Sequence, residues 1–254
     1  MLTAAQIRHF HDQGWISPLD ACGPDEVTVN RTAFERMRAQ AADAFALNGC
    51  HPTCRSIWDL ATNPQVVAAV RDLLGDELIV WGTHYFAKEP GDPRTVAWHQ
   101  DGPYWPFTPA QTVTAWIAID DSDEENGAMQ VVPGSHHHGA LPWRACRPDE
   151  ASVLGRSMDG VERLAAPVSI TLRAGQFSLH HDLLVHGSRA NRSTRRRCGL
   201  TVRYCPPWVS APTHPSWMQA GIRICGTAPA PGWAFPPRPE GDDPRRPAQV
   251  IGAN

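Results

Sequence analysis

The sequence predicts a mainly β domain of sandwich or barrel type, a jelly roll, with helices before it. From Glu77 onward, short runs rich in Val, Ile, Trp and Tyr are bounded by Gly, Pro, Asp and Ser, which is typical of strands joined by turns. No long helical pattern separates these runs, so a parallel α/β sheet is disfavoured. The length of 254 residues and the 42% hydrophobic content suit one core, and we expect a single domain over residues 1–254.

Residues 1–76 are predicted to be a mainly helical flank packed outside the β core. The segment from Thr3 to Gly14 has a capping threonine, apolar residues at helical spacing and a glycine where a helix would end. A second helix is expected around residues 33–47. A third is expected over residues 64–74, because a proline suits its first turn and Gly75 its end.

The predicted jelly-roll core occupies residues 77–205. Its strands are expected at residues 78–86, 113–119, 129–132, 168–172, 176–179 and 198–204. Residues 206–254 form a proline-rich tail, which we expect to wrap the surface as irregular chain or to be partly mobile.

Composition favours a small-molecule partner. The net charge of -3 and the pI near 6.4 give no electrostatic reason to expect nucleic acid or a membrane surface. No apolar run is long enough to cross a bilayer, and the start lacks a signal-peptide pattern, so we expect a cytoplasmic protein. We expect either a monomer or a homodimer, and the sequence does not distinguish them. Seven cysteines, an odd count, suit reduced thiols. Cys50, His51 and Cys54 suggest zinc, but no second pair completes a tetrahedral set.

The residues that indicate chemistry begin with Trp98-His-Gln-Asp-Gly102. His99 and Asp101 stand two residues apart, so in an extended chain both side chains emerge on one face. A second imidazole, His186, follows a later apolar run. Two histidines and one carboxylate form the facial triad of non-haem Fe(II) oxygenases, which leaves open coordination positions. Because His-x-Asp also occurs by chance, the triad alone is weak evidence.

Enzymes with this triad can use a dicarboxylate, 2-oxoglutarate, as co-substrate. The end of that molecule remote from the metal would need a fixed cation to bind its carboxylate. Arg197 stands at the start of the predicted strand 198–204, and its planar guanidinium suits a bidentate carboxylate contact. Ser188 falls on the same face as His186 and offers a hydroxyl donor. On chemistry alone, Arg195 and Arg196 are rival anchors.

Several spaced segments together resemble the phytanoyl-CoA dioxygenase family of Fe(II)/2-oxoglutarate enzymes. They are WHQDGPYW at residues 98–105, NGAMQVVPGSH at residues 126–136, and HGS at residues 186–188 followed by Arg197. The resemblance implies a double-stranded β-helix, a cupin-like jelly roll. It also implies Fe(II), 2-oxoglutarate and O2 as cofactors, and His99, Asp101 and His186 as metal ligands.

The resemblance also implies that Gln100, Trp116 and Ser188 lie near 2-oxoglutarate. It favours Arg197 over its two neighbours as the anchor, because the family spacing from the second histidine falls on Arg197.

The substrate pocket is predicted from residues that flank the triad. These are His84 and Phe86, which share a face of the preceding strand, and Tyr104, Trp105 and Phe107, which follow Asp101. Alternatively, Phe86 and Trp105 pack in the barrel core and the tail supplies the contacts. We expect a small free metabolite, such as an amino acid or a natural-product intermediate, rather than a CoA thioester. CoA phosphates favour a basic docking surface, and outside residues 189–203 the chain is not basic near the proposed site.

Hydroxylation with release of succinate and CO2 is the expected reaction. Desaturation, cyclisation or epimerisation would use the same cofactors and stay open. Halogenation is disfavoured because Asp101 is present. A non-catalytic jelly-roll binding module is the alternative from another class, and the loss of a ligand or anchor would favour it, but none is missing.

Two other runs of polar residues are interpreted as structural. The histidine run at residues 136–138 is interpreted as a loop, and Glu124-Glu125 as an exposed turn.

Overall fold

The computed structural model describes residues 1–41 and 47–245. Within them the helices are α1 (Ala4–Gln13), α2 (Pro24–Arg38), α3 (Arg55–Ala61) and α4 (Pro64–Leu74). No helix in these two ranges combines the length and the apolarity that a bilayer-spanning segment needs.

The ends of α1 and α4 follow the predicted signals. Thr3 accepts a hydrogen bond from the Gln6 amide, and Gly14 ends α1 in the left-handed region with φ 85°. Asn63 caps α4 by accepting from the first free amides, and Gly75 follows its last turn. Local sequence alone therefore set these boundaries.

The predicted helix at residues 33–47 was placed too late. Its counterpart, α2, begins at Pro24, where proline suits the first turn and Glu26 accepts a hydrogen bond from the Gly23 amide at 2.9 Å. Residues 42–46, near the end of the predicted helix, lie outside the described residues. The short helix α3 was not predicted.

The strands form two main antiparallel sheets and one short hairpin. They are β1 (Trp15–Asp20), β2 (Leu78–Lys88), β3 (Val96–His99), β4 (Val113–Ala118), β5 (Met129–Val131), β6 (Arg144–Ala145), β7 (Arg156–Ser157), β8 (Val168–Ser169), β9 (Gln176–His181), β10 (His186–Ser188), β11 (Arg197–Cys205) and β12 (Ile222–Cys225). The six-stranded sheet has the order β1-β9-β4-β11-β2-β12, and the four-stranded sheet has the order β3-β10-β5-β8. This mainly β, antiparallel arrangement fits a jelly roll.

All six predicted strands are present, with changed ends. The largest difference is β8, which ends at Ser169, while Leu172 makes only an isolated bridge to Ser122. The helical flank also contains one strand that was not predicted: β1 pairs with β9 from far along the chain. Strands β3, β6, β7, β10 and β12 were also absent from the predicted set, because each is short. In addition, β3, β10 and β12 pair with partners far along the chain.

The six-stranded sheet separates two environments. On its outer face, helical residues such as Phe34 and Met37 pack in one core with Tyr85 and Leu200. On its inner face, the register pairs Arg197 with Lys88, Thr201 with Trp116, and Arg203 with Thr114. Paired residues in an antiparallel ladder share a face, so a polar and aromatic surface faces the other sheet.

The described part of the tail, residues 206–245, is mostly irregular chain. Its strand β12 adds to the edge of the large sheet beside β2. Met218 and Trp233 pack in a buried apolar cluster with Ile79, Trp81 and Cys205. The tail therefore covers one end of the core.

Candidate active site

The triad predicted from the sequence is assembled by the small sheet. His99 ends β3, Asp101 follows directly, and His186 begins β10, which pairs with β3 so that the two histidines are register partners. One ligand atom from each residue lies within 4.8 Å of the others. The Asp101 Oδ1 atom is 3.6 Å from His99 Nε2 and 3.9 Å from His186 Nε2. Three donor atoms thus converge on one point.

Backbone contacts orient both imidazoles. His99 Nδ1 lies 2.9 Å from the Ala97 carbonyl oxygen, and His186 Nδ1 lies 2.9 Å from the Leu184 carbonyl oxygen. A carbonyl only accepts, so each Nδ1 donates its proton and each Nε2 keeps a lone pair directed at the cluster. This is the tautomer that a metal-binding histidine requires.

The charge state of the cluster also suits a metal. Burial by itself would raise the pKa of Asp101, but its contacts with His180 and His99 outweigh burial and hold that pKa well below its usual range. Burial lowers the pKa of His186 well below its usual value. An ionised carboxylate beside neutral imidazole is the donor set that non-haem iron(II) takes. The residues therefore fit the implied ion.

The cluster opens into a cavity of about 450 Å³, counted with the space continuous with solvent. Both main sheets contribute to its walls. The lining residues are Phe86, Val96, His99, Asp101, Trp116, Met129, His180, His186, Gly187, Ser188, Arg197, Thr201 and Arg203. A cavity with apolar walls and a few polar groups is typical of a small-ligand site.

Arg197 provides a buried cation in this cavity. Its side chain is 3% exposed, and its Nε has no hydrogen-bond partner in residues 1–41 and 47–245. Its Nη2 lies 3.5 Å from Ser188 Oγ, and its guanidinium carbon lies 5.4 Å from the centre of the Trp116 ring. Burial lowers the pKa of Arg197 to about 10, so the group stays charged at neutral pH. A buried charge of this kind fits a bound carboxylate, such as the far end of 2-oxoglutarate.

The two neighbouring arginines are engaged elsewhere. Arg195 Nη2 contacts Asp123 Oδ2 at 2.8 Å, and Arg196 Nε contacts Asp120 Oδ2 at 2.7 Å. Neither Arg195 nor Arg196 is among the residues that line the cavity. Of these three adjacent arginines, Arg197 is the one that lines the cavity.

The residues predicted near 2-oxoglutarate divide into two groups. Trp116 and Ser188 line the cavity beside Arg197. The Gln100 side chain is not among the lining residues, because Nε2 donates to the carbonyls of Gly139 and Leu183 at 2.8 and 2.7 Å and Oε1 accepts from the Leu141 amide at 2.8 Å. Gln100 thus connects the segments behind the metal cluster.

The predicted substrate residues are also dispersed. Phe86 lines the cavity, and the ring of His84 lies 4.3 Å from it, centre to centre. Tyr104 stands beside His99, with ring centres 5.8 Å apart, and lines a smaller adjacent pocket. Trp105 and Phe107 pack on Trp81, at 4.6 and 4.7 Å between ring centres, where the tail covers the core.

Sequence reasoning gave no place in the site to Thr114, Thr201 or Arg203. Thr201 lines the cavity, and Thr114 Oγ1 lies 3.4 Å from Asp101 Oδ2. Alternation from Arg197 along β11 would have indicated Thr201 and Arg203. Alternation from Trp116 along β4 would likewise have indicated Thr114, and the register between β4 and β11 places it opposite Arg203.

The other histidine and cysteine groups have structural roles. His51 uses both ring nitrogens, with Nδ1 3.1 Å from Thr83 Oγ1 and Nε2 2.7 Å from the Ala220 carbonyl, and Cys50 and Cys54 are buried free thiols. In the described chain, the His/Cys/Asp/Glu set with metal-binding geometry is the triad, not this group.

The histidine run at residues 136–138 docks on the first helix. His136 Nε2 lies 3.0 Å from the His11 carbonyl, and His137 Nε2 lies 3.2 Å from the Asp12 carbonyl. The run therefore supplies partners to the carbonyls that end α1.

Comparison with known proteins agrees with this geometry. Residues 10–199 match the family model described as phytanoyl-CoA dioxygenase. The chain is 29% identical to L-proline trans-4-hydroxylase of Streptomyces griseoviridis, over 84% of this chain and 90% of that protein. It superposes on the non-haem monooxygenase ThoJ with a TM-score of 0.80 and 26% identity, covering 93% of this chain and 89% of ThoJ. For the non-haem α-ketoglutarate-dependent carbocyclase SnoK of nogalamycin biosynthesis, the TM-score is 0.67 at 25% identity, covering 82% and 86%. The chain therefore belongs to the phytanoyl-CoA dioxygenase family and is an Fe(II)- and 2-oxoglutarate-dependent dioxygenase.

Proposed function

We propose that this enzyme hydroxylates a small free metabolite, such as an amino acid or a natural-product intermediate, with release of succinate and CO2. The observation that carries the proposal is a triad with free Nε2 lone pairs in one cavity with a buried, incompletely bonded arginine. The likeness to an amino-acid hydroxylase over most of both chains supports the substrate class. The antiparallel sheets that share this cavity are assigned to a double-stranded β-helix.

His99, Asp101 and His186 are proposed to hold iron(II). When bound, the iron supplies the oxidising chemistry together with 2-oxoglutarate and O2. The protein presents two imidazole nitrogens and the Oδ1 oxygen to the ion, while Thr114 and His180 face Oδ2 at 3.4 and 3.6 Å. This division of the two oxygens keeps the carboxylate in one orientation.

Arg197 and Ser188 are proposed to bind the far carboxylate of 2-oxoglutarate. A charge-assisted contact of this type contributes about 1.5–3 kcal/mol. The Trp116 ring lies against the guanidinium and limits its movement. Gln100 is not assigned to the co-substrate, because its side-chain amide is already hydrogen-bonded to backbone groups.

The apolar walls have a protective role. Phe86, Val96 and Met129 line the same cavity as the triad and present apolar surface to it, which disfavours water there. A water-poor site strengthens the contact at Arg197 and limits side reactions of the oxidant. The tail adds cover at the end where Trp105 and Phe107 pack.

Cyclisation is the second candidate outcome, because a carbocyclase is among the similar structures at 25% identity. Desaturation and epimerisation would use the same residues. Halogenation is disfavoured, since Asp101 occupies the carboxylate position.

We further propose that the helical flank, the β core and the tail act as one domain, because the flank packs on the outer sheet face and the tail on one end.

The test is turnover by the anaerobically reconstituted iron(II) protein after addition of O2 and 2-oxoglutarate. Free amino acids, beginning with L-proline, are supplied with and without oxygen, and succinate and product masses are measured. A gain of one oxygen supports hydroxylation, a loss of two hydrogens indicates desaturation or ring closure, and an unchanged mass with altered stereochemistry indicates epimerisation. An Asp101→Ala variant is the inactive control. Absence of 2-oxoglutarate binding to the iron(II) protein would refute the proposal, and a preference for acyl-CoA over the free acid would refute the substrate class.

A further inference from the structure

A second buried arginine lines the cavity and has no role in the cofactor assignments above. Arg203 lies on the same face of β11 as Arg197, with Gly199 and Thr201 between them. At a strand rise of about 3.3 Å per residue, the Cα atoms of the two arginines are about 20 Å apart. Arg197 neighbours Ser188, whereas Arg203 is the register partner of Thr114, beside Asp101. The two guanidinium groups thus serve different ends of the cavity.

Arg203 is buried without a complete set of partners. Its side chain is 5% exposed, and its Nε and Nη1 have no hydrogen-bond partner in the described residues. Among the described residues, no carboxylate oxygen lies within 4.0 Å of its nitrogens, whereas Arg195 and Arg196 each have one within that distance. An arginine cannot release its proton to relieve this, and a buried unpaired charge is costly. The charge of Asp101 acts on Arg203 only from beyond that distance, and Asp101 is the proposed metal ligand, so the guanidinium lacks a directly bonded anion.

The surroundings of Arg203 indicate where that anion would come from. The guanidinium carbon lies 5.4 Å from the Trp81 ring centre and 5.3 Å from the Trp105 ring centre. These aromatic walls belong to the end of the core that the tail covers, away from Ser188. A single co-substrate molecule uses one far carboxylate, and Arg197 already faces a hydroxyl donor suited to it. The organic substrate is then the remaining source.

We propose that Arg203 binds a carboxylate of the oxidised substrate, so that the enzyme acts on small carboxylic acids and discriminates against their neutral derivatives. This inference rests on the proposed function, because it assigns Arg197 to 2-oxoglutarate. A bidentate contact between the guanidinium and a carboxylate orients the rest of the substrate toward the metal cluster. Trp81 and Trp105 hold the guanidinium plane from the sides.

The experiment compares acids with their primary amides on the anaerobic iron(II) protein saturated with 2-oxoglutarate. The probes are L-proline with L-prolinamide, hexanoate with hexanamide, and benzoate with benzamide, each titrated to high millimolar concentration. Binding is followed by tryptophan fluorescence, since Trp81 and Trp105 adjoin Arg203. The wild-type protein is expected to bind at least one acid about 10- to 100-fold more tightly than its amide.

Variants assign that preference to one residue. In Arg203→Gln the preference is expected to disappear, while 2-oxoglutarate affinity changes little; in Arg197→Gln the reverse is expected. Arg203→Lys keeps the charge and is expected to retain a reduced preference, which decides the question if the glutamine variant unfolds. Equal binding of acids and amides by the wild type, or no binding of any acid, overturns the proposal, as does loss of 2-oxoglutarate binding in Arg203→Gln. Failure of the wild type to bind 2-oxoglutarate refutes the proposed function instead.

Discussion

His180 Nε2 lies 3.6 Å from Asp101 Oδ2, the carboxylate oxygen that does not face His99 and His186. His180 is 1% exposed, and its two ring nitrogens have no hydrogen-bond partner in the described chain. It is held there by β9, where it pairs with Thr114 of β4. His180 is therefore a neighbour of the metal cluster that contacts Asp101 without being one of the three proposed ligands.

Replacing His180 is expected to weaken metal binding without removing a ligand. In His180→Leu, the Asp101 carboxylate loses its polar neighbour, and we expect iron(II) affinity to fall about 10- to 100-fold. Metal titration of the apoprotein measures this, and the visible spectrum of the cobalt(II) form reports whether the ligand set is kept. His137→Leu, on the surface near α1, is the matched control. Unchanged iron(II) affinity in His180→Leu would show that His180 only packs in the cavity wall and does not affect metal binding.

Replacing Arg197 is expected to separate co-substrate binding from metal binding. In Arg197→Ala, the affinity for 2-oxoglutarate should fall by about 1.5–3 kcal/mol, because a charge-assisted contact is lost, while iron(II) affinity is retained. Calorimetry under anaerobic conditions measures both quantities. Arg195→Ala is the control, because its partners are Asp123 and Glu125 at the surface. Equal 2-oxoglutarate affinity in Arg197→Ala and wild type would move the anchor to another cation.

The Trp116 ring requires a glycine opposite it. A Cβ at Gly199 would lie 2.1 Å from the Trp116 ring, so Gly199→Ala must displace that ring from its place beside Arg197. We expect weaker 2-oxoglutarate binding and a loss of about 1–3 kcal/mol in the free energy of unfolding. Denaturant titration and calorimetry measure the two effects. Gly241→Ala, which meets no atom within 4 Å, is the control, and equal behaviour of both variants would contradict the packing argument.

His51 makes stability depend on pH. Burial is the main reason that the pKa of His51 falls from its usual 6.5 to about 4. The unfolded chain therefore binds the proton more readily, so the stability contribution of neutral His51 is present above pH 6.5 and is lost as the pH falls through 4. Between about pH 7.5 and about pH 5, we expect a loss of about 2 kcal/mol from this residue.

Denaturant unfolding of wild type and His51→Asn at the two pH values isolates that contribution. The stability advantage of the wild type should shrink by about 2 kcal/mol at the lower pH. An advantage that is the same at both pH values would show that His51 titrates normally in the folded protein.

The sequence by itself determined the local features and the identity of the cluster. Thr3, Gly14 and Asn63 mark helix ends because caps and left-handed glycines act within a few residues. The triad was predicted from the two-residue spacing of His99 and Asp101, the position of His186 and the resemblance of the segments around them. The expected extended chain was wrong at Asp101, because β3 ends at His99 and the Asp101 backbone is helical, with φ -68° and ψ -48°. The start of α2 and the strand β1 were missed, and β1 exists only through its pairing with β9.

Only the tertiary structure decided what surrounds the cluster. Alternation places Thr114 on the face of Trp116, and Arg203 on the face of Arg197. That these residues and His180 meet around the cluster depends on the registers of β4, β9 and β11, which no spacing in the chain encodes. Likewise, Arg195, Arg196 and Arg197 are chemically equal in the sequence. Arg197 differs because Asp120, Asp123 and Glu125 neutralise its neighbours, while β11 directs its own side chain into the cavity. Register and burial depend on contacts between distant segments, so they are properties of the folded chain.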